Sequence, residues 1–251
     1  MFFAVTEYPS YLELKFLSAD SANALSLAAA RELARLVRQY KRWSRPVVVT
    51  SGHPRLFCSG GNLSDYKKLK GHAAGLKVNR EITRALDAFG AWPVVKLALI
   101  DGDVFGGGME WLARFNFRWC TVPSMFGFWQ GRLGLSFGWG GGEVWAARLG
   151  EDVVRSLLVE GRLLSSFEAL RLGLVDRVGA LDSGSPEYGG SPVEGGSPVE
   201  GGATRVGAVE AFCTRLAGRA QLSTWSVRRE SRLFTKLWLG PLHTQALKRW
   251  K

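Results

Sequence analysis

Two glycine-rich stretches lie about fifty residues apart, Phe57-Cys58-Ser59-Gly60-Gly61-Asn62-Leu63 and Phe105-Gly106-Gly107-Gly108-Met109-Glu110, and each follows an apolar, β-branched run that reads as a strand. Glycine lets a bare backbone approach a ligand closely and take positive φ. N–H groups that open a helix lack an intrahelical acceptor and favour negative charge. This spacing suggests two backbone N–H donors aimed at one carbonyl oxygen, with an enolate as the charge to be held. A third stretch, Leu133-Gly134-Leu135-Ser136-Phe137-Gly138-Trp139-Gly140-Gly141, follows in order.

Around these turns the chain alternates strand and helix patterns. Tyr11 to Leu17 alternates apolar and polar residues as a strand does, and Leu27 to Val37 carries apolar residues at helical spacing behind an N-cap at Ser26. Pro46 to Thr50 reads as a buried strand, Ala73 to Phe89 as a helix, and Val94 to Ile100 and Phe117 to Val122 as further strands. Glu151 to Val159 and Ser165 to Leu172 read as helices, the second with a Ser165/Glu168 capping box. Strands alternating with helices imply βα units with mostly parallel pairing, hence an α/β fold.

A chain of 251 residues that is 46% hydrophobic can bury a full core, which excludes disorder over most of its length. Residues 1–182 form the expected core. Between 183 and 204 the composition turns to Gly, Ser and Pro, and Gly189-Gly190-Ser191-Pro192-Val193-Glu194 is repeated at once as residues 195–200. That tract reads as a flexible inserted linker. No apolar run approaches the ~20 residues needed to cross a bilayer, and Met1-Phe2-Phe3-Ala4 lacks the charged start of a secretory signal. The expectation is a cytoplasmic protein without membrane insertion. Three cysteines, Cys58, Cys120 and Cys213, are odd in number and far apart, which predicts free thiols and no metal site. Cys58 reads as a packing residue rather than a nucleophile, because no histidine shares its motif.

At the quoted glycine motifs the chain resembles the enoyl-CoA hydratase/isomerase (crotonase) superfamily, over about residues 10 to 180. The resemblance implies a spiral of ββα repeats followed by a helical carboxyl-terminal region, here 205–251, which covers the acyl pocket and/or builds a homotrimer or a dimer of trimers. It implies an acyl-CoA or acyl-carrier thioester as substrate, with coenzyme A as part of the substrate and no separate cofactor. It assigns the oxyanion N–H donors to Gly61 and Gly107 and a catalytic carboxylate to Glu110. Asn23-Ala24-Leu25 matches the segment near the CoA adenine. Gly60, Asn62, Leu63, Gly106, Trp129, Gly134 and Trp139 are the remaining candidates for substrate contact.

Gln130 stands where the family's second hydratase glutamate is expected. An amide orients water or a carbonyl but does not accept a proton at neutral pH. The leading expectation is therefore a hydratase/isomerase-family lyase or isomerase that stabilises a thioester enolate with one glutamate as acid/base. Two alternatives stay open: a decarboxylase or hydrolase acting on a CoA or carrier-protein thioester, and a non-catalytic thioester-binding homologue. Glu143 could replace the missing carboxylate or simply begin a helix. Asn62, Asp101 and Asn116 are further departures from the family pattern, and His53, His72 and His243 match no catalytic position. Trp111, Trp129 and Trp139 suit either an apolar pocket lining or an aromatic core.

The net charge of +11 concentrates in residues 205–251, where ten Lys and Arg face Glu210 and Glu230. Such a segment suits CoA phosphates, an acidic carrier or a solvated helix face. No recognisable nucleic-acid module accompanies it, so nucleic acid is not an expected partner.

Overall fold

The computed structural model describes residues 1–179 and 205–216. The expected linker at 183–204, all but the beginning of the basic segment, and His243 lie outside the described residues. Strands β1 (Phe3–Glu7) and β2 (Leu12–Phe16) pair antiparallel, and α1 (Leu27–Gln39) follows. Then one pattern recurs. β3 (Val47–Ser51) and β4 (Leu56–Cys58) lead to α2 (Leu63–Lys67) and α3 (His72–Ala91); β5 (Lys96–Ile100) and β6 (Asp103–Phe105) lead to α4 (Gly107–Leu112). β7 (Phe117–Cys120) and β8 (Met125–Gly127) lead to α5 (Gly141–Leu149) and α6 (Glu151–Glu160). β9 (Leu164–Ser165), α7 (Ser166–Leu172), β10 (Arg177–Val178) and α8 (Arg205–Arg215) complete the described elements.

Each turn lays one strand in each of two sheets. The larger has the order β1-β2-β3-β5-β7-β10 and the smaller β4-β6-β8-β9. All pairs are parallel except β1 with β2 and β8 with β9. This is the expected spiral of ββα turns. Its functional consequence is geometric: β4 and β6 are parallel neighbours that end at Cys58 and Phe105, so both glycine turns leave the same edge of the smaller sheet.

Local signals account for the elements. Ser26 caps α1 by accepting from the Ala29 N–H at 3.0 Å, and Ala29, Ala30, Leu33 and Leu36 form its buried face. The Ser165/Glu168 capping box is present at the start of α7. β5 is buried along its whole length because both faces are covered. Ala98 and Ile100 join the main core, while Leu97 and Leu99 face Val48, Trp119 and the Ala208, Val209 and Cys213 side of α8. The described part of the basic segment therefore packs on the large sheet, against residues that do not line the cavity described below. Among the described residues no helix is long and apolar enough to cross a membrane.

Trp111 is fully buried and ringed by Phe3, Phe16, Phe57 and Phe89, so this tryptophan belongs to the core. His53 accepts the Arg55 and Leu56 N–H groups through Nδ1 and closes the β3–β4 turn, and His72 opens α3 at the surface. Glu143 is exposed in the first turn of α5.

All three cysteines are free and buried, and burial pushes each thiol up to about 12. Thiolate is the reactive form. Iodoacetamide at pH 8 should label the folded protein at none of the three and the denatured chain at all of them, read by intact mass. Fast native labelling of Cys58 would restore its candidacy as a nucleophile.

Candidate active site

The glycine turns meet at one wall. A Cβ on Gly60 would lie 3.0 Å from the Gly107 nitrogen, and Gly60 itself sits at φ +106°, a backbone state that favours glycine. The directions of the two N–H groups follow from peptide planarity. The Gly60 carbonyl accepts from the Leu25 N–H at 2.7 Å, so across a trans peptide the Gly61 N–H points away from Leu25. The Gly106 carbonyl accepts from Met109 within the first turn of α4, so the Gly107 N–H points back out of the helix start. Both residues line a cavity of about 430 Å³.

Glu110, 2% exposed, projects from α4 to the same cavity and is the one carboxylate among its described lining residues. Its oxygens are fully engaged. Oε1 accepts from the Gln130 Nε2 at 3.2 Å and the Gly138 N–H at 3.1 Å; Oε2 accepts from Trp139 N–H at 2.7 Å and Gly141 N–H at 3.0 Å. The carboxylate thus ties down the loop that opens α5. A proton transfer at either oxygen must displace one of these donors. Gln130 donates to Glu110 while its Oε1 is buried without a hydrogen-bond partner.

Trp139 spans both turns. Cβ atoms placed on Gly107 and Gly61 would lie 2.3 Å and 3.2 Å from its indole ring, so the ring closes one side of the cavity. Trp129 forms another wall, stacked on Phe105 with centroids 3.9 Å apart, and the Arg132 guanidinium lies 5.0 Å from its ring centre. Leu63 and Gly106 also line the cavity.

Other expected contacts fall elsewhere. Asn23 is wholly buried: Oδ1 accepts from the Ser18 N–H, and Nδ2 donates to Ser51 Oγ and to the Leu56 and Phe57 carbonyls. That side chain clamps the corner before α1 and has no polar atom left for a ligand. Ala24 is buried beside it. Leu25 and Asn62 line an adjoining cleft of about 270 Å³, and Asn62 uses its side chain to cap α2. Gly134 is an exposed αL residue that ends a 3₁₀ turn and does not line the cavity. Asn116 accepts from the Lys96 N–H, and Asp101 accepts from the Thr121 hydroxyl, so both anchor loops.

Tyr66 and Asn79, unmarked in the sequence, enter the cavity from α2 and α3, joined by a 2.5 Å hydrogen bond from the phenol to Asn79 Oδ1. A lone tyrosine beside lysines and a polar residue inside a helix carry no local signal of a site. Arg132 was equally unmarked. A larger groove of about 660 Å³ between α1 and α3 is lined by cations such as Arg38 and Lys77, but neither glycine turn opens into it. The chemistry is assigned to the smaller cavity for that reason. Among the described residues no His, Cys, Asp and Glu cluster could hold a metal ion.

A two-sheet spiral of ββα turns with paired glycine loops at one sheet edge defines the crotonase fold class. The enoyl-CoA hydratase from Mycobacterium smegmatis superposes over 100% of this chain and 96% of its own, with a TM-score of 0.79 at 16% identity. Residues 7–183 match the family model for enoyl-CoA hydratase/isomerase, and the chain belongs to that family. It is similar to chicken (Gallus gallus) ethylmalonyl-CoA decarboxylase, 29% identical over 228 residues that cover 90% of this chain and 76% of that protein. It is likewise 29% identical to the rat (Rattus norvegicus) ethylmalonyl-CoA decarboxylase over 162 residues, 64% of this chain and about half (54%) of that relative.

Proposed function

We propose that this protein decarboxylates a short malonyl-type acyl-CoA thioester, of the kind represented by ethylmalonyl-CoA. The observation that carries this reading is the state of Glu110, whose two oxygens accept four N–H donors while Gln130 supplies an amide where a second carboxylate is needed. Hydration needs a group that deprotonates water, and an allylic shift needs one that removes an α-proton. Decarboxylation needs neither. Breaking the bond between the α-carbon and the carboxylate delivers its electron pair to the thioester, and the enolate oxygen is held by the Gly61 and Gly107 N–H groups. Each such donor contributes about 3 kcal/mol to the transition state.

The cavity walls assist. Leu63, Trp129 and Trp139 present apolar surface to the cavity, and a carboxylate seated against it would be disfavoured relative to neutral carbon dioxide. The names of the chicken and rat relatives support the same substrate class. Coenzyme A enters as part of the substrate. The test is mass spectrometry of a CoA-thioester panel incubated with the protein in deuterated water. Ethylmalonyl-CoA or methylmalonyl-CoA should lose carbon dioxide and gain one deuterium at the α-carbon, while crotonyl-CoA should stay unchanged. Hydrated crotonyl-CoA with intact malonyl-type esters would overturn the reading.

A further inference from the structure

An enolate formed by loss of carbon dioxide must take a proton, and the cavity has few groups that can give one. Glu110 is occupied as an acceptor by four N–H groups. Gln130 and Asn79 carry amides, which do not give up protons at neutral pH. Arg132 keeps its charge and donates through Nε to the Gly161 carbonyl at 2.6 Å. There remain the hydroxyls of Ser59, Ser136 and Tyr66, and of these the phenol is a far stronger acid than the two aliphatic alcohols. Its ring lies beside the first glycine turn, where a Cβ on Gly61 would be 3.1 Å from Cε2. A thioester carbonyl held by the Gly61 N–H would therefore lie beside the Tyr66 side chain, with its α-carbon one bond from that carbonyl.

Three further features suit Tyr66 to giving up a proton and taking it back. Its hydroxyl is oriented by donating to Asn79 Oδ1, and the Trp139 indole is a hydrogen-bonding neighbour of the same oxygen. Burial raises its pKa above the ordinary phenol range, which keeps the proton in place at neutral pH until a strong carbon base forms beside it. Finally, Tyr66 lines both the 430 Å³ cavity and the adjoining 270 Å³ cleft, so water can reach the phenol from the side away from the substrate.

We infer that Tyr66 is the catalytic acid that protonates the α-carbon of the enolate, a role that rests on the decarboxylase reading. The bookkeeping of the step closes without a further reactant. The carbon–carboxylate bond breaks, carbon dioxide leaves, and its bonding pair becomes the enolate. That pair then forms a bond to the hydroxyl hydrogen of Tyr66 while the thioester carbonyl reforms. The phenolate keeps the O–H pair, turns to the Trp139 indole N–H, and recovers a proton from water in the cleft. The net change consumes one solvent proton for each carbon dioxide released.

The test is Tyr66→Phe with ethylmalonyl-CoA in deuterated water, following carbon dioxide release together with the configuration of the deuterated butyryl-CoA. The parent protein should deliver deuterium to one face. Tyr66→Phe should lower kcat by about 10²-fold and give both enantiomers, because bulk water then protonates the enolate. A purely structural role would slow turnover through the lost Asn79 bond but leave the product a single enantiomer, and that outcome overturns the inference. Circular dichroism of the variant guards against misfolding, and Asn79→Ala, which keeps the phenol, should retain facial selectivity. If the parent itself releases no carbon dioxide, the decarboxylase reading falls and takes this inference with it; if it does and Tyr66→Phe stays stereospecific, only the inference falls.

Discussion

Gly107→Ala should cost the protein about 10²–10³ in kcat on the proposed malonyl-type thioester, while its far-UV circular dichroism stays that of the parent. Gly107 begins α4, and its φ lies outside the positive region, so alanine suits the backbone there. The space is the difficulty. A methyl at this position would stand 2.3 Å from Cζ3 and 2.6 Å from Cη2 of the Trp139 ring. That ring cannot swing aside freely, because the Trp139 N–H is held by Glu110 and the residue is buried. The added methyl either pushes the indole into the cavity or tilts the first turn of α4, and both move the Gly107 N–H relative to the Gly61 N–H. Steady-state kinetics with a thermal melt separates these effects from unfolding. Turnover at the parental rate would remove the Gly107 N–H from the proposed chemistry.

Glu110→Gln should lower stability by about 3 kcal/mol and the Tm by about 10 °C, as well as turnover. The parent carboxylate offers two acceptor oxygens to four donors; an amide offers one oxygen and presents an NH₂ to the other pair. Two buried donors then lose their acceptor, and donors aimed at a charged partner are the costly ones to strand. The loop from Gly138 to Gly141 loosens, and with it the Trp139 ring that closes the cavity over both glycine turns. Ligand affinity should fall together with kcat. If the melt is unchanged and kcat alone collapses, Glu110 returns to the role of proton carrier expected from the family resemblance.

The candidate site was legible in the sequence to the extent that its parts are local. Gly61 and Gly107 stand out because a bare backbone and a helix start are written in consecutive residues, and both turns do open into one cavity. Trp139, in the third glycine stretch, and Trp129 and Gln130, reached through the family resemblance, join them there. Asn23 illustrates the limit. Its place in the Asn23-Ala24-Leu25 segment suggested a ligand contact, yet its side chain bonds Ser51, Leu56 and Phe57, about thirty residues away. Nothing in the local pattern distinguishes a ligand contact from a clamp. Tyr66 meets Asn79 across the break between α2 and α3, and that meeting depends on how the two helices pack.

By itself the sequence determined what depends on neighbours within a turn or a strand: the Ser26 cap, the Ser165/Glu168 capping box, the alternating strand β2 and the paired glycine turns. Tertiary structure alone decided which groups face the cavity and with which partners. Glu110 receives N–H donors from Gly138, Trp139 and Gly141, 28 to 31 residues further along, because the spiral brings the start of α5 back against α4. Short-range hydrogen bonds and hydrophobic periodicity are encoded locally, whereas the occupancy of a buried carboxylate is set by packing between successive turns.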